Sequence, residues 1–377
     1  MLKLIINFIK SMIGKSFGNS HLLHPAILHL TVTNRCNLKC VMCNIWKERP
    51  RIDTSSEVIE KLTGSRYFKD FQIIEFGGGE PFLVDLVELT RKFNHSGLKM
   101  ILVTTNGMSP DRILEQVKGI LELPGLSLIM NVSIDGTRET HVRLRGVPGS
   151  YDRATETLRR LAELADGRPN LKVGAKLTIQ PDNYREIWPT YLMAKEIGVE
   201  FTAKPAAVFG SLHNEEMDFD LTASQVEEVT GLLKRIDDDQ AGVLSREKAN
   251  LFGRLYYFAN IIFNQVQLDY LRKNLLEKQF KQVIPCYSTF FSVMVHVDGG
   301  VYCCPTLMKK VGDLAVESFD EIWQGEKMRA IRQFIHEGRC SCFSQCDQMP
   351  SVVVKYKWRL GSDIIKSYFS RRKASVL

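Results

Sequence analysis

The chain is 377 residues long, 44% apolar and 25% charged, with a formal net charge of +7; this is the make-up of a globular protein with room for one large domain and a smaller one. Its basic residues gather at the two ends rather than along one helix or an aromatic-studded strand, which argues against a nucleic-acid partner. Nine cysteines in so long a chain, three near the start and six after position 285, exclude a small disulfide scaffold and suggest metal ligation in a reducing cytosol.

Residues 1–26 open with MLKLIINFIKSMIGKSFG. Lys10 interrupts the apolar run, no small-residue cleavage site follows, and the run is too short to span a bilayer, so neither a signal peptide nor a membrane span is expected. The spacing predicts an amphipathic surface helix, with Leu2, Ile5, Ile6, Ile9 and Ile13 on one face and Lys3 and Lys10 near the other. Packing on the protein body is the expectation, with contact to a membrane surface as the alternative. The tail 351–377, which contains IIKSYFSRRKASVL, is also basic and apolar and offers the same alternative.

Over residues 27–210 a short β-branched or apolar run, turn residues and a stretch of helical spacing recur. Strands are predicted at 27–33, 71–76, 99–105, 126–134, 171–179 and 199–205. Helical segments lie between them, one starting at a Thr54/Glu57 capping box and another, LVDLVELTRKFNHS, ending at Gly97. Crossovers of this length return the chain for parallel pairing, and strands apolar on both faces should be buried. The expected fold is α/β: a partial (β/α)6 barrel of the TIM-like kind, with functional residues in the loops after the strands. Residues 211–285 read as a helical connector, with Thr222 and Gln225 as a capping box. Residues 286–350 read as a small cysteine-rich α+β extension, where FFSVMVHVDGGVYCC predicts a hairpin turned at Asp298, Gly299 and Gly300.

The first strand is followed by NRCNLKCVMCNIW, which places Cys36, Cys40 and Cys43 in one loop without a histidine. A structural zinc site would want four close ligands, and the next thiol is far along the chain. An iron-sulfur cluster held by three thiolates keeps one iron open. The loop resembles the Cys-x3-Cys-x2-Cys signature of the radical S-adenosylmethionine (SAM) superfamily, with Met42 where the family often has an aromatic residue. FGGGEP after the second strand is similar to the family's Gly-Gly-Glu motif, TTNG ends the third strand and SIDG ends the fourth. The resemblance implies that Cys36, Cys40 and Cys43 bind a 4Fe-4S cluster. It also implies that Gly78, Gly79 and Glu80 hold the amino end of SAM, and that Asn106, Ser133 and Asp135 contact its ribose and carboxylate parts. Arg143 and Arg145 are read as solvated loop residues, with a carboxylate of SAM or substrate as the alternative partner. Lys176 and Lys204 lie on later strands, on a face that periodicity leaves open.

Cys286, Gly299 and Cys304 have the spacing that opens the SPASM or twitch extension of many such proteins, and CSCFSQC adds Cys340, Cys342 and Cys346. The resemblance implies an auxiliary 4Fe-4S cluster on Cys286, Cys304, Cys340, Cys342 and Cys346. Two fully ligated clusters would take four thiolates each, and this stretch has six cysteines, so one complete cluster is expected. Cys303 is read as a buried free thiol, with a replacement ligand or a proton or hydrogen donor as the alternatives, and Trp323 and Phe334 of the helical bridge as core.

By this resemblance the protein is an oxidoreductase in which one-electron cleavage of SAM yields a 5′-deoxyadenosyl radical that takes a substrate hydrogen. The substrate is a peptide or small molecule, the outcome a net oxidation or cross-link, and the auxiliary cluster the electron acceptor. An electron donor such as flavodoxin or ferredoxin is implied. The rival readings are a non-catalytic iron-sulfur redox or sensor protein, which has no use for Glu80, Asn106, Ser133 and Asp135, and a zinc-stabilised binding module.

Overall fold

The computed structural model describes residues 2–17, 22–206, 208, 210–246 and 285–339. Cys340, Cys342, Cys346 and the basic tail lie outside the described residues. In chain order the elements are α1 (Leu2–Phe17), β1 (Ile27–Thr33), α2 (Ser56–Thr63), β2 (Ile73–Gly78), α3 (Leu86–Phe93), β3 (Met100–Thr105) and α4 (Pro110–Leu121). There follow β4 (Ser127–Ser133), α5 (Arg138–Arg145), α6 (Ser150–Ala165), β5 (Leu171–Ile179), α7 (Ile187–Ile197) and β6 (Glu200–Pro205). Beyond these come α8 (Ala223–Arg246), β7 (Ser292–Val295), β8 (Gly300–Tyr302), β9 (Lys310–Asp313), α9 (Phe319–Gln324) and α10 (Glu326–His336). The chain divides into two compact units, Met1–Phe219 with Ser288–Phe334, and Asp220–Tyr287 with Ile335–Leu377.

The first unit is built on one sheet in the order β6-β5-β4-β3-β2-β1-β7-β8-β9. All neighbours from β6 to β7 run parallel, and β7, β8 and β9 are antiparallel. The fold is therefore the expected α/β architecture with an open, TIM-like parallel sheet, and every strand C-terminus from β1 to β6 emerges at one edge. The predicted hairpin forms, with Gly299 at φ 87° in its turn, but its first strand joins the barrel: β7 pairs with β1 from Ile27↔Ser292 to Leu30↔Val295.

Burial departs from the expectation of two covered faces. Among the strands β1 to β6 only β1 is buried throughout, whereas β3 alternates, with Ile101, Val103 and Thr105 buried and Met100, Leu102 and Thr104 half-buried. An open sheet covers its outer face with helices and leaves the concave face in a cavity, which produces this period of two. The register sets Lys176 opposite Ser133 and Thr202, and Lys204 opposite Thr178, so both lysines share the concave side with Ser133.

Four local expectations are corrected. The cap of α2 is Ser55, which accepts from the Val58 amide; Thr54 instead donates through Oγ1 to the Thr31 carbonyl at 2.7 Å, and so is spent on β1. α3 begins later than predicted because the Asp85 carboxylate caps it through the Glu88 amide, and it ends at Asn94 rather than Gly97. α1 forms, but packs the other way round: Asn7 and Ser11 are buried, while Ile6, Ile9 and Ile13 are exposed. Trp323 is core, its Nε1 donating to the Leu23 carbonyl at 3.0 Å. Phe334 is only half-buried, with Lys309 Nζ 4.9 Å from its ring centre.

In the second unit, α8 starts at the predicted capping box: the Gln225 amide donates to Thr222 Oγ1 and the Thr222 amide to Gln225 Oε1. No helix among the described residues is long and apolar enough to cross a membrane.

Candidate functional site

The loop after β1 tucks its apolar residues inward and leaves its thiols part open. Leu38, Met42 and Ile45 are buried, and Cys36, Cys40 and Cys43 are half-buried. Its backbone is tied down on every side. The Lys39 and Val41 amides donate to the Arg145 and Leu144 carbonyls at the end of α5, and the Asn44 amide to Leu212. Buried Asn214 donates through Nδ2 to the Met42 carbonyl at 3.0 Å. At the loop's start Arg35 makes a two-pronged contact with Asp53, at 2.8 and 2.6 Å, and Asn34 bonds both Pro50 and Ile52. Nothing in the spacing of Asn34, Asp53 and Asn214 announces these roles; they come from chain segments that meet only in the fold.

The glycine-rich turn after β2 packs directly on this loop. A Cβ on Gly78, at φ 116°, would lie 2.1 Å from the Thr33 carbonyl oxygen, and one on Gly79 would lie 2.1 Å from that of Arg35. Only glycine permits such approach. The Gly79 amide donates to Thr33 O and the Glu80 amide to Arg35 O, at 2.9 and 2.8 Å. The two motifs thus form one structural piece.

Glu80 is buried and accepts from Thr105 Oγ1 at 2.7 Å and from the Phe82 and Asn106 amides. Burial pushes its carboxyl above the usual range, and those three donors pull the other way. Asn106 Nδ2 donates to Asn37 Oδ1 at 2.7 Å and approaches Cys36 Sγ at 3.9 Å. Ser133 is 8% exposed, at the end of β4. Asp135 is fully buried; Oδ1 accepts from the Thr178 amide, and Oδ2 lies 2.6 Å from Arg145 Nε. Arg145 is not the solvated residue expected, because it is nearly buried and its Nη1 reaches Cys40 Sγ at 3.7 Å. Burial opposes its charge, yet Asp135 and Cys40 hold it firmly protonated. Arg143 is the exposed one, paired with Asp182.

The donor set suits a cluster better than a single ion. Three half-buried thiols in one loop, beside a buried carboxylate and a buried guanidinium, are the donor set of a cubane with one iron left open. Burial pushes Cys36 up to about 12 and Cys43 up to about 11, against hydrogen bonds from the Leu38 and Ile45 amides, with the neighbouring thiols adding to the rise. Thiols in such surroundings ionise when metal takes them.

In the second cysteine group, Cys303 and Cys304 are buried and Cys286 half-buried. The hydrogen bond to Cys304, then burial, pushes the Cys303 thiol up. The Leu307 amide donates to Cys304 Sγ at 3.2 Å, and Ser288 Oγ to the Cys303 carbonyl at 2.6 Å.

The chain carries a radical SAM domain, whose family model matches residues 30–194, and an iron-sulfur cluster-binding SPASM domain, which matches residues 286–348. Its cofactors are accordingly a 4Fe-4S cluster, SAM and auxiliary iron-sulfur ligation. The chain is 35% identical over 162 residues to Fe-coproporphyrin III synthase of Methanosarcina barkeri, covering 41% of this chain and 37% of that one. It is 29% identical over 177 residues to a probable GTP 3',8-cyclase of Saccharolobus islandicus, covering 46% and 54%. The matched stretches thus span about half or less of these relatives' length. Among solved structures, Streptococcus suis SuiB bound to S-adenosylmethionine superposes with a TM-score of 0.57 at 15% identity, over 82% of this chain and 68% of that one. Native anSMEcpe with bound AdoMet superposes with 0.55 at 18%, over 91% and 100%. These two likenesses are of fold.

Proposed function

We propose that the protein is an oxidoreductase that removes a hydrogen atom from a peptide substrate, with the auxiliary cluster receiving the electron left behind. When bound, the reduced cluster and SAM supply a 5′-deoxyadenosyl radical by one-electron cleavage of the sulfonium. The chain's own part is to bind, orient and shield. Cys36, Cys40 and Cys43 would hold the 4Fe-4S cluster, which would supply the electron for that cleavage. The Gly78 and Gly79 carbonyls and the Glu80 carboxylate accept the SAM ammonium, Asn106 and Ser133 take ribose hydroxyls, and Arg145 takes the carboxylate. Asp135 acts through Arg145 by fixing its guanidinium. The concave sheet face, with Lys176 and Lys204, holds the substrate against the radical and away from water. Four of Cys286, Cys304, Cys340, Cys342 and Cys346 would supply the auxiliary ligands, an electron donor of the flavodoxin or ferredoxin kind feeds the first cluster, and the protein works in the cytoplasm.

The observation that carries this reading is the joining of the thiol loop, the glycine turn, Glu80 and Arg145 at one edge of the parallel sheet, which a redox carrier would not need. A peptide substrate is supported by two neighbours in fold, SuiB bound to precursor peptide SuiA and anSMEcpe with bound AdoMet and a peptide. The test is anaerobic reconstitution, reduction with dithionite in the presence of SAM, and chromatography for 5′-deoxyadenosine. Its formation supports the reading; a brown, fully loaded protein that leaves SAM intact contradicts it.

A further inference from the structure

We infer that α1 is a docking element for an anionic lipid surface, which it meets with the stripe Ile6, Ile9 and Ile13 bordered by Lys10. The helix is fixed to the body by its small and polar side. Asn7 and Ser11 are 3% and 0% exposed, and Gly14 is buried. Ser11 Oγ donates to the Phe290 carbonyl at 2.9 Å, and Lys15 Nζ sits 5.2 Å from the Phe290 ring centre. The opposite side carries Ile6, Ile9 and Ile13, at 42%, 47% and 43% exposure. A spacing of i, i+3 and i+7 puts them in one line along the helix. Three of the seven exposed large apolar side chains among the described residues lie on this single helix, so the stripe is a patch rather than scatter. A helix packed for the protein's own stability would turn these residues inward and the serine out.

Charge selects the occupant. Residues 2–17 contain Lys3, Lys10 and Lys15 and neither Asp nor Glu. A second copy laid stripe to stripe would bring Lys10, which borders the stripe, toward its counterpart with no acid on either helix between them. The end of the chain, 364–377, with Lys366, Arg371, Arg372 and Lys373 and no acid, would do the same. An anionic bilayer satisfies both features at once: isoleucines enter the acyl boundary while ammonium groups stay among the phosphates. Sixteen residues of helix are about 24 Å long, and α1 does not meet the requirements of a span, so it lies in the plane of the interface.

The test uses the full-length, cluster-loaded protein and co-sedimentation with vesicles, either of phosphatidylglycerol mixed with phosphatidylcholine or of phosphatidylcholine alone. Partition into the anionic vesicles, weakened by salt, is expected. Ile9→Glu with Ile13→Glu should reduce it by about tenfold or more, and Lys10→Gln by less, mainly at low salt. Both positions are exposed, so far-UV circular dichroism and iron content should stay unchanged and report that the fold persists. Absent partition, or partition that survives the double substitution, overturns the inference. So does sedimentation velocity showing a dimer that the double substitution dissolves without any vesicle binding, since the stripe would then belong to a second copy.

Discussion

The loop of Cys36, Cys40 and Cys43 and the adjacent pair Cys303 and Cys304 are built on opposite plans. Around Cys36, Cys40 and Cys43 the backbone is held by amide bonds to α5 and to residues 212–214 and by the glycine turn after β2, yet the thiols stay half-open. At the β8–β9 connection Cys303 and Cys304 are shut in, at 1% and 7% exposure, and bond to one another and to the local backbone. Rigid backbone with accessible sulfur suits a cluster that must take a second ligand on one iron. Sealed sulfur suits ligation or packing with no exchange of ligand. The difference between the regions is therefore one of access, and it can be pressed by substitution.

The largest expected effect is on chemistry. Cys36→Ala, Cys40→Ala or Cys43→Ala should each reduce 5′-deoxyadenosine formation to background and remove the iron of that loop, whereas Cys303→Ala should leave iron content unchanged. Equal losses at both places, measured by iron assay and chromatography, would erase the contrast.

Next comes stability at the two arginines near the end of α5. Arg145→Met leaves the Asp135 carboxylate buried without its partner and should cost about 3–5 kcal/mol, read from urea midpoints. Arg143→Met removes an exposed pair with Asp182 and should stay within about 0.5 kcal/mol.

Gly79→Ala should cost about 1–3 kcal/mol, because a methyl 2.1 Å from the Arg35 carbonyl oxygen forces the turn away from the thiol loop. The same substitution should lower cluster retention, since the two motifs move as one.

The smallest effect is a rate. In the cluster-free protein Cys36 and Cys43, raised by burial to about 12 and 11, are almost wholly protonated at pH 8. Their alkylation by iodoacetamide, followed by mass spectrometry, should be slow at that pH and climb as pH rises toward those values, because only the thiolate reacts. Fast alkylation of both at pH 8 would mean that the loop is not packed as described.

Much of this was legible in the sequence where the signal is periodic or local. β1 and β5 begin and end where the apolar runs do, and the Asp298-Gly299-Gly300 turn and the Thr222 cap follow from residues within a few positions of each other. The Cys, Gly-Gly-Glu and strand-end motifs all fall after parallel strands, as an α/β sheet requires. What stayed hidden depends on contacts far apart in the chain. Arg143 and Arg145 look alike in sequence, and only the fold buries one against Asp135 and Cys40. Thr54 and Ser55 are equally good caps until β1 claims the threonine. The apolar stripe of α1 was visible, but which side meets the body depended on Phe290, a residue far along the chain that the fold brings in just before β7, beside β1.

The central claim is that the loop of three thiols holds a 4Fe-4S cluster with one iron free for SAM. Electron paramagnetic resonance of the dithionite-reduced protein with Cys304, Cys340, Cys342 and Cys346 all changed to alanine, which leaves too few thiols in that stretch for a second cluster, tests it most directly. A reduced-cluster signal that changes on adding SAM is the predicted result. A signal indifferent to SAM, or a colourless protein that carries zinc at this loop, would contradict it.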